Sequence, residues 1–143
     1  MPEISTSTPE VWLTWPALSS KSPTAKGLPG FPAVADYEAV SALVEAAERL
    51  GHRYHVGITA TAPGFFGAQG RPIPQLPIRY PDLAEEMARQ RVMNFEMEAS
   101  ALLVFATLAR CRAGVVCAVY ANRTTGEFIG DREKEAAEAA CVE

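Results

Sequence analysis

From residue 31 onward, apolar positions recur with periods that define the elements. Behind Asp36, a residue type that caps helices, Tyr37, Val40, Val44 and Ala47 return at three- and four-residue steps. Gly51 ends the run, which predicts a helix over YEAVSALVEAAERL. HVGITATA, residues 55–62, is short and β-rich and reads as a strand; PGFFGAQGRPIPQLP, punctuated by Gly and Pro, reads as a loop. A weak helix is expected over 83–90. A strong one is expected from about 98 to 109, where Leu102, Leu103, Phe105, Ala106 and Ala109 cover a wide apolar face. After Gly114, VVCAVYA (115–121) is an unbroken apolar run of the kind found in a parallel strand buried on both faces. Asp131 is placed to cap a last helix over REKEAAEAA. This alternation is that of an α/β layer protein, although two firm strands make a meagre sheet.

Residues 1–30 differ in texture. Five prolines stand there among Ser, Thr, Lys and Gly, with one apolar island, VWLTW. The expectation is an irregular or disordered N-terminal segment, 1–30, followed by one domain, 31–143, unless the island supplies a missing strand. Composition narrows the partners. A length of 143 residues with 48% apolar content suffices for a core. A net charge of −4 offers no basic field for nucleic acid. No apolar run approaches the roughly 18 residues of a membrane span, and no signal-peptide pattern opens the chain. Cys111, Cys117 and Cys141 lack metal-like or redox-like spacing, and read as thiols in a reducing cytoplasm. His52 and His55 form an H-x-x-H without a third ligand, so no metal is expected.

Two stretches carry candidate chemistry. In NFEMEAS, Glu96 and Glu98 diverge if both lie within a helix, where they merely favour its dipole. They converge if 94–97 is extended and the helix starts near Glu98. A carboxylate at such a corner accepts from sugar hydroxyls, with Met97 as a soft apolar wall. In FFGAQGR, Phe65 can stack on a flat heterocycle, Gln69 can both donate and accept, and Arg71 donates to a carbonyl or a developing anion. Taken alone, such a loop is most often just a loop. Tyr120 and Ala121 lie at the carboxyl end of the expected strand, where α/β sheets hold ligands, though Tyr120 reads equally as core.

Together these motifs resemble the uridine phosphorylase branch of the nucleoside phosphorylase family. FPAVADYEAVSALVEAAERLG, HVGITATAPGFFGAQGR, RVMNFEMEASALL and AGVVCAVYANRT follow the family's order over residues 31–127. The resemblance implies part of a nucleoside-phosphorylase-like three-layer α/β fold, with a truncated mixed sheet flanked by helices. It implies a cytoplasmic pentosyltransferase of pyrimidine salvage, converting uridine and inorganic phosphate to uracil and ribose 1-phosphate without another cofactor. Arg71 and Glu98 would be catalytic. Phe65, Gln69 and Arg71 would hold the base, Met97 and Glu98 the ribose with Glu96 in support, and Tyr120 and Ala121 would line the base pocket. Asn122 and Arg123 stand where purine-acting relatives carry an acid, which favours a pyrimidine. Pro63 and Gly64 depart from the branch's pattern.

The family's phosphate loop and phosphate-holding arginines have no counterpart in this sequence. The expectation is therefore a C-terminal portion with base and ribose half-sites, whose activity alone is doubtful. A split gene, a degenerate paralogue or a domain completed by another chain would each produce it. The family's usual homo-oligomer is then uncertain. The alternatives are a non-catalytic nucleoside-binding or oligomer-partner fragment, and a hydrolase in which water replaces phosphate.

Overall fold

The computed structural model describes residues 10–19, 31–75 and 77–143. In chain order these form β1 (Glu10–Ser19), α1 (Tyr37–Leu50), β2 (Arg53–Thr61), α2 (Leu83–Arg89), β3 (Val92–Glu96), α3 (Ala99–Leu108) and β4 (Val116–Ala118). The short strands β5 (Ala121–Asn122) and β6 (Glu127–Phe128) and the helix α4 (Asp131–Ala140) complete the fold. The main sheet has the order β3-β2-β1-β4, parallel from β3 to β1, with β4 antiparallel at one edge. It is a mixed α/β fold with a small sheet.

Glu10–Ser19 corrects the reading of 1–30 as irregular throughout, because it is a strand between β2 and β4. The apolar island has the β-branched and aromatic content of a strand, and the neighbours on both sides supply its ladder. The register shifts between Trp15 and Leu18, around Pro16, where a residue without an N–H is least disruptive. The remaining residues of 1–30 lie outside the described ones.

α1 follows local rules. The Asp36 side chain accepts from the Ala39 N–H at 3.0 Å, and Gly51 closes the helix at φ 74°. Val40 of α1 meets Leu103 and Val104 of α3 in the core, with Ala33 and Ala35 from the segment before α1. α3 runs from Ala99 to Leu108, close to the expected span, and its amino end is delivered by β3. β3 pairs parallel to β2 with Thr61 opposite Glu96, so both strands finish at the same level.

The run 115–121 is corrected as well. Of it, Val116–Ala118 is the part that joins the main sheet; it is half-buried and antiparallel to β1, not parallel and buried on both faces. An edge strand has one ladder partner, so half of its surroundings are absent. Ala121–Asn122 instead joins β6 in a separate hairpin, with Gly126 at φ 77° in its turn. In α4, Asp131 is the first helical residue and not the cap; Glu133 accepts from the Gly130 N–H at 2.7 Å. No helix among the described residues is long and apolar enough to cross a membrane.

Candidate functional site

β2 and β3 are parallel, so the segments that follow Thr61 and Glu96 leave from the same end of the sheet. Crevices at that end are where α/β sheets place ligands. The Ala62 N–H donates to the Glu96 carbonyl at 2.8 Å, so the first residue of the Gly-rich loop is fastened to the acidic corner.

Within the loop, a single 3-10 turn (Gly67–Gln69) reverses the chain. The Phe66 carbonyl accepts from the N–H groups of Gln69 (3.1 Å) and Arg71 (2.9 Å). Gly70 has φ 70°, and a Cβ there would lie 3.1 Å from the Tyr80 carbonyl oxygen and 3.2 Å from Leu83 Cβ. The backbone angle therefore favours glycine, and a Cβ would have to press on Tyr80 and Leu83. The turn buries Gln69 to 5% exposure and sets Arg71 against it. Arg71 Nη1 donates to Gln69 Oε1 and to the Phe65 carbonyl, the latter at 2.8 Å. Its guanidinium carbon lies 3.8 Å from the centre of the Phe65 ring. Phe65 in turn meets Phe66 edge-on at 5.2 Å.

A second arginine enters from the other end of the chain. Asn122 Oδ1 accepts from the N–H groups of Thr124 (2.9 Å) and Thr125 (3.2 Å), folding NRT into a side-chain-stabilised turn. Arg123 Nη1 donates to the Gln69 carbonyl at 2.6 Å, and its guanidinium carbon stands 5.4 Å from the centre of the Phe95 ring. Burial lowers the pKa of Arg71 from its ordinary value and the charge of Arg123 lowers it further; burial lowers that of Arg123. Two guanidinium groups share one glutamine, an arrangement suited to the oxygens of a planar heterocycle or to an anion. Sequence reasoning noted Arg123 only as a substitute for an acid. Its turn chemistry, N-R-T directly after an apolar run, was the available signal.

The acidic corner divides its two carboxylates. Glu96 Oε2 accepts from the N–H groups of Glu98 (2.7 Å) and Ala99 (2.5 Å), and Oε1 accepts from the Thr61 hydroxyl. Thr61 Oγ1 itself accepts from the Ser100 N–H at 2.9 Å. Glu98 occupies the cap position of α3 without capping it by its side chain. It is exposed, and among the described residues no hydrogen bond or ion pair engages its carboxylate. Met97 beside it is 41% exposed.

Phe65, Gln69 and Arg71 thus come together with Arg123, and Phe95 links that group to the corner holding Glu96, Met97 and Glu98. Tyr120 is engaged elsewhere. Its hydroxyl donates to Glu138 Oε1 on α4 at 2.6 Å, and Lys134 Nζ lies 5.1 Å from its ring. Ala121 is half-buried and paired with Phe128 in the hairpin. Because β4 is antiparallel, the carboxyl end of the run 115–121 is not the ligand-bearing end of the parallel strands. A groove of about 350 Å³ lies apart from the cluster, between the start of α1 and the end of α3, lined in part by Val34, Leu103 and Arg110. Among the described residues, no three His, Cys, Asp or Glu side chains group so as to hold a metal ion.

Comparison with known proteins identifies the family. The profile of the phosphorylase superfamily matches residues 9–142, which takes in β1. The uridine phosphorylase of Thermococcus kodakarensis is 51% identical over 109 residues, covering 75% of this chain and 39% of that protein. The uridine phosphorylase of Escherichia coli is 41% identical over 101 residues, 68% of this chain and 40% of that protein. A DeoD-type purine nucleoside phosphorylase of Hahella chejuensis is more distant, at 31% over 104 residues. The chain spans about 40% of the length of the curated relatives it matches.

Proposed function

The chain belongs to the phosphorylase superfamily, and on that footing we propose that it is uridine phosphorylase-like and supplies the base- and ribose-binding half of a site that cleaves uridine with inorganic phosphate to uracil and ribose 1-phosphate. The observation that carries this reading is the convergence of Gln69, Arg71 and Arg123 beside the corner that presents Glu98. The chemistry needs positioning and charge stabilisation, not a covalent nucleophile. The bond between the anomeric carbon and the base nitrogen breaks, its electron pair leaves with uracil, and a phosphate oxygen bonds to the anomeric carbon. Arg71 and Arg123 donate to the oxygens on which that charge accumulates, and Gln69 matches the amide-like edge of the ring. Phe65 packs against the base. Glu98, unoccupied by capping, accepts from the ribose hydroxyls and so holds the anomeric carbon in line for attack, while Met97 lines the sugar. Phosphate is the co-substrate and no other cofactor is required.

The test is uracil release from uridine with and without phosphate, followed by chromatography, for wild type, Glu98→Gln and Arg71→Ala. Phosphate-dependent release is expected of an assembly that also holds the phosphate. Each variant should lose on the order of a hundredfold in turnover while keeping its fold. Release that ignores phosphate would instead mark a hydrolase, and tight uridine binding without release a nucleoside-binding module. Unchanged turnover in Glu98→Gln removes the corner from the site.

A further inference from the structure

Resting on the nucleoside reading of the acidic corner, we propose that Thr61 is a positioning residue for the ribose half-site, fixing through Glu96 the backbone from which Glu98 projects. Thr61 is the last residue of β2, 5% exposed, and sits opposite Glu96 in the parallel ladder. Its hydroxyl makes two identified bonds, donating to Glu96 Oε1 and accepting from the Ser100 N–H at 2.9 Å. The other oxygen of Glu96 takes the N–H groups of Glu98 and Ala99 at 2.7 and 2.5 Å.

The N–H groups of residues 98, 99 and 100, which a helix start leaves without intrahelical partners, are therefore satisfied by two side chains from the strand ends. That is unusual in one respect with a chemical consequence. The residue at the cap position commonly supplies the capping oxygen, and here Glu98 does not. Borrowing the cap from Thr61 and Glu96 releases the Glu98 carboxylate for hydroxyl groups from outside. Charge-assisted bonds from a half-buried carboxylate also hold the corner more firmly than a solvated cap would. Thr61 leads directly into Ala62, whose N–H is fastened to the Glu96 carbonyl at 2.8 Å. One hydroxyl thus sets the spacing between the loop that carries Gln69 and Arg71 and the corner that carries Glu98. Thr61 touches no substrate atom in this scheme; its influence passes through Glu96.

Three proteins test it: wild type, Thr61→Val, which keeps the shape and removes the hydroxyl, and Thr61→Ser, which restores it. If the valine protein does not fold, Thr61→Cys takes its place, keeping the size with a weaker hydrogen bond. Amide hydrogen exchange by NMR reads the clamp, and calorimetry with uridine and with uracil reads its effect. Thr61→Val should speed exchange at Ser100 about tenfold or more and leave Leu103 and Val104 unchanged, the cost of one unsatisfied buried donor. It should weaken uridine binding about tenfold and uracil binding less than twofold, with Thr61→Ser close to wild type on both. Equal losses for uridine and uracil, or wild-type uridine affinity in Thr61→Val, overturn the positioning role. A wild-type chain that binds neither ligand overturns the nucleoside reading and the ribose role with it, while the exchange data still decide the clamp itself.

Discussion

Two carboxylates two residues apart diverge on a helix, but astride a strand-to-helix corner one can turn back onto the helix amides while its neighbour stays in solvent. Glu96 and Glu98 are divided in this way, and spacing alone could not say which would do which. The decision depends on Thr61, 35 positions earlier, whose hydroxyl engages Glu96. Cys117 is a second residue whose behaviour is set from a distance. Burial pushes its thiol up to about 11, the nearby carboxylates of Glu96 and Glu98 add to this, and a hydrogen bond with Asn94 partly opposes it. Raised above an unfolded value of 9.0, this group contributes stability that is complete below pH 9 and lost as pH climbs toward 11. Urea midpoints should therefore fall over that window, and fall less in Cys117→Val. Alkylation at pH 8 followed by mass spectrometry should modify the exposed Cys111 at least about tenfold faster than Cys117. Equal rates would mean that the thiol is not shielded. Gln69 and Arg71 were legible as a recognition pair because both lie within three residues of one turn. Arg123 was not, since its partner carbonyl is 54 positions away.

The helices were readable from the sequence because their determinants are local. α1 has its cap at Asp36, its periodic stripe and its terminating glycine within sixteen consecutive residues, 36–51. Asp36→Ala should lower stability by about 1 kcal/mol, the usual cost of losing such a cap, measured by urea titration with an unchanged slope. A loss below about 0.3 kcal/mol would show that packing of Val40 and Ala47, and not the cap, holds the helix start. The helix ends also carry identifiable strain. Arg110, just past α3, has φ 57°, a left-handed angle that a residue with a Cβ adopts at a cost. Arg110→Gly should raise the thermal midpoint by a few degrees, because the relieved angle outweighs the entropy glycine brings to the unfolded chain. The strands were harder to read. β1 hid among prolines, β3 was open between an extended stretch and the first turn of a helix, and β4 looked like a buried parallel strand. Whether an apolar run becomes an edge, a centre or a turn depends on which neighbours reach it, and that information is spread over the whole chain.

For the molecule as a whole, the balance of buried and exposed apolar surface is set by how little sheet there is to cover α3. That helix is apolar on every side, a composition that belongs to an interior. Leu103 and Val104 are buried at 1% and 4% exposure, while Leu102, Phe105 and Leu108 stand about half exposed, at 51%, 53% and 50%. At three-residue steps these three share one side of the helix. Their face lies in a chain that spans about 40% of its curated relatives' length. Contiguous apolar surface of this kind drives association in water, and a net charge of −4 spread over 143 residues opposes it weakly. The isolated chain should therefore self-associate as its concentration rises through the micromolar range, by sedimentation velocity. Replacing Leu102 with Lys and Phe105 with Glu together should shift the population to monomer. The thermal midpoint of dilute protein should move by only a few degrees, since neither side chain belongs to the buried cluster of Val40, Leu103 and Val104. A wild-type chain that stays monomeric at about 100 μM, well above that range, would show that this face is quiet in water, and a large drop in midpoint for the double variant would show that it is core after all.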